Sequence, residues 1–180
     1  MNIPLPKLKA ILLYFCNYTE PRFLGKVKLM KLFYFLDFMH IKEYGSPVTF
    51  DTYINLDKGP IPSTIKNLVD DVADDLDSAE LSDTISIEKP KNYHMFRVLP
   101  TRRFTEADSK YFSETELEIL KRVCEKFGNK NTDFIVDASH KEASWKETKF
   151  LDEIPYTLAA QDPDSKADKE DIELLLKLTQ

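Results

Sequence analysis

Leu29-Met30-Lys31-Leu32-Phe33-Tyr34-Phe35-Leu36-Asp37-Phe38-Met39-His40-Ile41 puts apolar residues on nearly every side of any helix drawn through it. A helix that is apolar all round has no face left for water and must be buried. The run is too short and too charged to cross a bilayer, with Lys31, Asp37 and His40 inside it. It therefore reads as the central helix of a soluble domain, with the other elements packed around it. Its start falls near Gly25, and Gly45, with Pro47 soon after, is a natural stop behind Tyr44.

The rest of the composition agrees with such a core. A chain of 180 residues can bury one. An apolar fraction of 42% and a charged fraction of 31% are those of a globular chain, not a disordered one. Only 4 glycines argue against many tight hairpins. The expected fold class is mainly α (α+β): a helical domain around a central buried helix, with a small antiparallel β-hairpin or sheet. Residues 1–160 read as a single domain, and 161–180 as a polar linker with a short amphipathic helix. The net charge of −6 leans away from nucleic acid and towards a basic protein partner. Cys16 and Cys124 sit in apolar surroundings with no CxxC, as small core residues of a reducing compartment do. The N-terminus lacks the basic flank and apolar run of a signal peptide, so a cytoplasmic protein is expected.

Before the central helix, Leu8, Ile11, Leu12, Phe15 and Cys16 form one helical stripe. Lys26, Lys28 and Lys31 lie near the central helix's start, where cations are mildly unfavourable. They read as a solvated edge, or more sharply as a partner contact. Beyond it, Thr49 to Leu56 is extended, as a short strand or an ordered loop. Lys58-Gly59-Pro60-Ile61-Pro62 must turn, because residues before proline are pushed out of the α region. Pro62 then stands at or near the first position of a helix striped by Ile65, Leu68, Val69, Val72 and Leu76. Asp70, Asp71, Asp74, Asp75, Asp77, Glu80 and Asp83 follow with no basic residue among them. They form either a solvated face or an electrostatic landing site for a basic partner. EF-hand spacing is absent.

Thr84 to Glu88 alternates with period two, Lys89-Pro90-Lys91-Asn92 is turn chemistry, and Tyr93 to Leu99 reads as a second strand. This hairpin is expected to pack on the helices or to pair near Tyr53. Pro100 to Phe112 is a polar connector whose Arg102 and Arg103 read as surface residues. Ser113-Glu114-Thr115-Glu116 is a capping box, opening a helix with Leu117, Leu120, Cys124 and Phe127 inside and a Glu118–Arg122 pair outside. Gly128 ends it, and Asn131 or Thr132 starts a short helix. Ile172, Leu175 and Leu176 stripe a last helix, capped by Asp168, which docks on the core or on a partner, the core being expected.

Signs of catalysis are thin. His40, His94 and His140 have no second ligand at metal spacing. Asp37 and His40, three residues apart, share a helix face and read as a buried polar pair. His140 with Ser139 or Cys124 would be the basis of a hydrolase, but nothing resembles a nucleophile elbow. Gly59 stands alone, so there is no phosphate loop. No metal and no cofactor are expected.

Two segments together carry a resemblance. One runs from Leu29-Met30-Lys31-Leu32-Phe33-Tyr34-Phe35 through Tyr44-Gly45-Ser46-Pro47-Val48 to Lys58-Gly59-Pro60-Ile61-Pro62-Ser63. The other is Ser139-His140-Lys141-Glu142-Ala143-Ser144-Trp145-Lys146. In order and spacing they resemble the SocA-like antitoxin family, or Panacea domain, of bacterial and phage-associated proteins, over about residues 25 to 150. Lys58 departs from the aromatic that many relatives place before Gly-Pro. The resemblance implies a mostly helical antitoxin whose partner is a cognate toxin, with Lys58, Gly59, Pro60, Pro62, His140, Glu142 and Trp145 as motif residues. Both segments are polar-flanked loops with no other reason to carry such residues, so His140 and Trp145 are expected to pack near the Gly59-Pro60 turn. A DNA-binding autoregulator is the remaining alternative to an antitoxin or a hydrolase.

Overall fold

The computed structural model describes residues 3–89 and 95–179. His94 and most of the expected turn at 89–92 lie outside the described residues.

The first helix, α1 (Leu5–Tyr18), buries the stripe of Leu8, Ile11, Leu12, Phe15 and Cys16. A one-turn 3-10 helix (Pro21–Phe23) leads into the central helix, α2 (Lys26–Tyr44), with Gly25 at its N-cap. Gly45 ends α2 at φ 81°, the left-handed conformation that only glycine adopts at little cost. As the all-round apolar run requires, residues on every side of α2 are buried, Leu29, Phe33, Tyr34, Phe35, Phe38 and Ile41 among them. Phe35 lies 4.3 Å from Phe127, and Phe15 meets Phe33 edge-on at 5.3 Å.

Strands β1 (Tyr53–Ile54) and β2 (Ile61–Pro62) pair antiparallel across the Gly59 turn. The other side of β1 meets residues 151–154: Ile154 N–H donates to Tyr53 O (2.8 Å) and Asn55 N–H to Asp152 O (3.0 Å). Helix α3 (Ser63–Asp74) follows, with Pro62 at the N-cap. Pro62 has no side-chain oxygen to offer, so Asp51 caps α3 instead, accepting from Thr64 N–H (3.2 Å) and Ile65 N–H (2.8 Å). Leu76, expected on the buried stripe, is 51% exposed. The helix has already ended at Asp74, so the helical spacing no longer governs position 76.

Strands β3 (Ile85–Glu88) and β4 (Arg97–Pro100) form the second antiparallel pair, Ile85 opposite Pro100 and Glu88 opposite Arg97. They pack on α1 and α3 and do not join β1. The connector that follows is more ordered than its polarity suggests. It holds a short helix, α4 (Glu106–Ser109), and Arg102 grips the buried Asp108 through two bonds of 2.7 Å. The guanidinium holds the Asp108 carboxyl far below its usual range. Arg102 is thus a structural clamp rather than an idle surface residue.

Helix α5 (Glu114–Phe127) opens on the capping box: Ser113 Oγ accepts from Glu116 N–H (3.2 Å), and Glu116 Oε2 accepts from Ser113 N–H (2.9 Å). Then come α6 (Thr132–Ser139), capped by Asn131, α7 (Ala143–Lys146), a 3-10 helix (Tyr156–Gln161) and α8 (Lys169–Leu178), capped by Asp168. Ile172 of α8 is buried. Residues of the expected polar linker are tied down, since Lys166 and Ala167 N–H both donate to Lys42 O (2.8 and 3.1 Å). The fold is mainly α with two small antiparallel pairs. Among the described residues no helix is long and apolar enough to cross a membrane.

Candidate functional site

Pro60 forces the turn before α3, and that turn presses on the central helix. Gly59 sits at φ 87°, and a Cβ there would lie 2.9 Å from Lys31 Cε and closer still to Ser139 Oγ. Glycine is required by conformation and by space at once. Lys31 Nζ donates to Pro60 O at 2.6 Å. Lys31 is fully buried, and burial lowers its ammonium pKa from 10.5 to about 7. Lys28, one turn earlier, is also buried and donates to Gly128 O (3.0 Å) and Lys130 O (2.6 Å). The solvated edge expected of these lysines is therefore corrected. Main-chain carbonyls from distant loops replace water around Lys28 and Lys31, and Lys26 pairs with Asp70.

The late segment closes over the same turn. Trp145 Nε1 donates to Leu56 O (3.3 Å), and Asn55 Nδ2 donates to Trp145 O (3.2 Å) and Thr148 O (2.6 Å). His140 stacks on Trp145, with ring centroids 4.0 Å apart and planes 24° from parallel. Ser139 Oγ donates to Val136 O at 2.8 Å, and the hydroxyls of Ser144 and Tyr34 are hydrogen-bonded to each other. Gly59, Pro60, His140 and Trp145 are thus gathered on one side of α2, as expected of the two polar-flanked loops.

That geometry does not pair His140 with Ser139 or Cys124. His140 Nε2 is buried and has no hydrogen-bond partner among the described residues. The Ser139 hydroxyl is engaged elsewhere. The Cys16 and Cys124 thiols are pushed up by burial to about 12, so neither is a thiolate at neutral pH. His140 is a stacking plate for Trp145. His140→Phe keeps the stack and removes a buried, unpaired nitrogen, so its unfolding free energy by urea titration should stay within about 1 kcal/mol of wild type or exceed it. A loss above that would show that the ring nitrogens matter.

Asp37 and His40 share a face but are not each other's partners. Asp37 accepts from Val48 N–H, Thr49 N–H and Tyr53 OH, each at 2.8 Å, and from the Thr49 hydroxyl. Burial raises its pKa to about 6 against the pull of those donors. His40 Nδ1 donates to Ser46 O at 2.6 Å, and Nε2 lies 3.2 Å from Thr115 Oγ1. Both residues hold loops, and each found its own.

Glu142 belongs to a neighbouring cluster. It pairs with the buried Lys42, which also meets Asp162 (3.2 Å) and Asp164 (3.1 Å). Burial raises the Glu142 pKa, since one ammonium serves several carboxylates, while Lys42 is held above its ordinary value by them despite its burial. A cleft of about 760 Å³ opens beside them, lined by Phe35, Met39, Arg122 and Lys126. Asp70 is tied to Lys26 and Lys66, whereas Asp71, Asp74 and Asp75 are exposed and make no ion pair among the described residues. Lys58 is exposed and Pro62 buried. The sequence-read candidates therefore split into an inner latch and an outer acidic surface. Lys31, Tyr34, Lys42, Asn55 and Asp162 belong to the inner set and were not singled out for it. A lysine inside an otherwise apolar run was the one available signal.

No curated protein and no solved structure matches the chain. The family model described as antitoxin SocA-like, Panacea domain, matches residues 29–146, from the first turn of α2 to the end of α7. Those limits enclose the Lys31 latch, the Gly59-Pro60 turn and the His140–Trp145 stack, and on that match this chain belongs to the SocA-like antitoxin family.

Proposed function

We propose that this chain is the antitoxin of a toxin–antitoxin pair and neutralises a co-expressed toxin by direct binding. The family match over residues 29–146 carries the reading. The geometry supports it, because the inner motif residues are spent on holding the fold. Contact with a toxin then falls to the outer surface. There the exposed Asp71, Asp74 and Asp75, with no cation of their own among the described residues, suit a basic toxin. Such a patch speeds encounter more than it tightens binding, and salt weakens it. The free, buried thiols of Cys16 and Cys124 suit a reducing cytoplasm.

Co-expression with the product of the adjacent gene tests this. Growth should be rescued and the two chains should co-purify. Lys in place of Asp71, Asp74 and Asp75 together should slow association about tenfold or more at low salt, with little effect at high salt. A chain that neither rescues growth nor binds its neighbour is not this antitoxin.

A further inference from the structure

Beside the start of α2 lies a cleft of about 510 Å³ whose apolar wall is Val27, Met95 and Phe96 and whose edge carries Lys26 and Lys58. Phe96 is 42% exposed, and the ammonium groups of Lys26 and Lys89 stand 5.3 and 5.9 Å from its ring centre. Among the described residues neither Lys58 nor Lys89 forms an ion pair, although Lys26 pairs with Asp70. An apolar cleft with the unpaired Lys58 on its edge and the unpaired Lys89 near its Phe96 selects an apolar side chain carried between carboxylates.

The chain presents such a side chain itself. Asp74 closes α3 and Asp75-Leu76-Asp77 follows it, with Leu76 51% exposed. Asp74, Asp75 and Asp77 form no ion pair among the described residues. Leu76 is six residues from Asp70, hence within about 20 Å of the Asp70–Lys26 pair at the cleft's edge. Knob and cleft carry opposite charge on one chain, which is what a two-fold interface uses: each copy offers both halves and receives both.

We infer that a second copy of this chain covers this surface, each copy seating Leu76 in the other's cleft with Lys58 against Asp75. The contact is small, so the dimer is weak and salt-sensitive. This inference does not rest on the toxin reading. It concerns the isolated chain, and either can fail alone. When a basic toxin is present, it competes with the second copy for the acidic loop.

Sedimentation equilibrium of the purified chain tests it across a wide concentration range at low and high salt. The average mass should rise from 20.9 kDa towards twice that with concentration, and high salt should reverse the rise. Leu76→Ser, at an exposed position that leaves the core intact, should weaken association about tenfold or more, since two leucines leave their clefts. Lys58→Glu alone and Asp75→Lys alone should each be monomeric, because like charges then meet twice. An equimolar mixture of the two should associate again, because both contacts are then of opposite sign. A chain that stays monomeric at every concentration, a dimer indifferent to these changes, or a mixture no better than its components overturns the inference.

Discussion

Gly59→Val is expected to lower the unfolding free energy by about 3 kcal/mol or more, read as a fall in the urea midpoint. Two costs add. A β-branched residue at φ 87° is strained by about 1–3 kcal/mol. The new Cβ also enters space held by Lys31 Cε and Ser139 Oγ, and overpacking of that kind costs about 1–3 kcal/mol. Against a typical total of about 5–15 kcal/mol this is a large share. The two costs separate in a double mutant. Ser139→Ala removes the nearest atom and should return part of the loss, whereas the backbone strain should remain. An unchanged midpoint for Gly59→Val would mean that the turn does not press on α2 at all.

Lys31→Met should change how stability depends on pH. In the folded chain Lys31 gives up its proton near pH 7, against 10.5 as the ordinary value. Between those values the unfolded chain holds more protons than the folded one, so Lys31 makes stability rise with pH. From pH 7 to 9 the rise amounts to about 2 kcal/mol at about 1.4 kcal/mol per pH unit. Methionine keeps the stem and has no charge to bury. Urea unfolding of both proteins at pH 7, 8 and 9 should therefore give curves that diverge, with wild type gaining on the variant as pH rises. Lys28 shifts in the same direction, to about 8, but is present in both and cancels in the difference. Parallel curves would show that Lys31 keeps its proton in the fold.

These two residues mark where reading the sequence succeeds and where it stops. The turn at Gly59-Pro60 was legible because proline and glycine act on their own backbone. The same locality made the caps at Ser113, Asn131 and Asp168 readable, and the stop at Gly45. The burial of α2 was legible because an all-round apolar surface has one solution. The fate of Lys28 and Lys31 was not, because their acceptors are carbonyls of residues 128, 130 and 60. Asp37 and His40 failed as a pair for a related reason. Helical spacing says which side chains could touch, but the loop at 46–53 offered each a better partner. The family motifs pointed to the latch without saying that its work is internal. The φ of 70° at the exposed Leu151, whose N–H donates to Asn55 O, had no sequence signal at all.

The partners that cover α2 come late in the chain. Lys28 waits for Gly128, and Lys42 for Glu142, each 100 residues on. At roughly 5–20 residues per second on the ribosome, α2 emerges about 5–20 s before those partners exist. For that interval the central helix, with Lys28 and Lys42 still without their partners, stands open to chaperones, proteases and other nascent chains. The layout that gives the finished fold its tightly closed centre thus makes every new molecule vulnerable during its own synthesis.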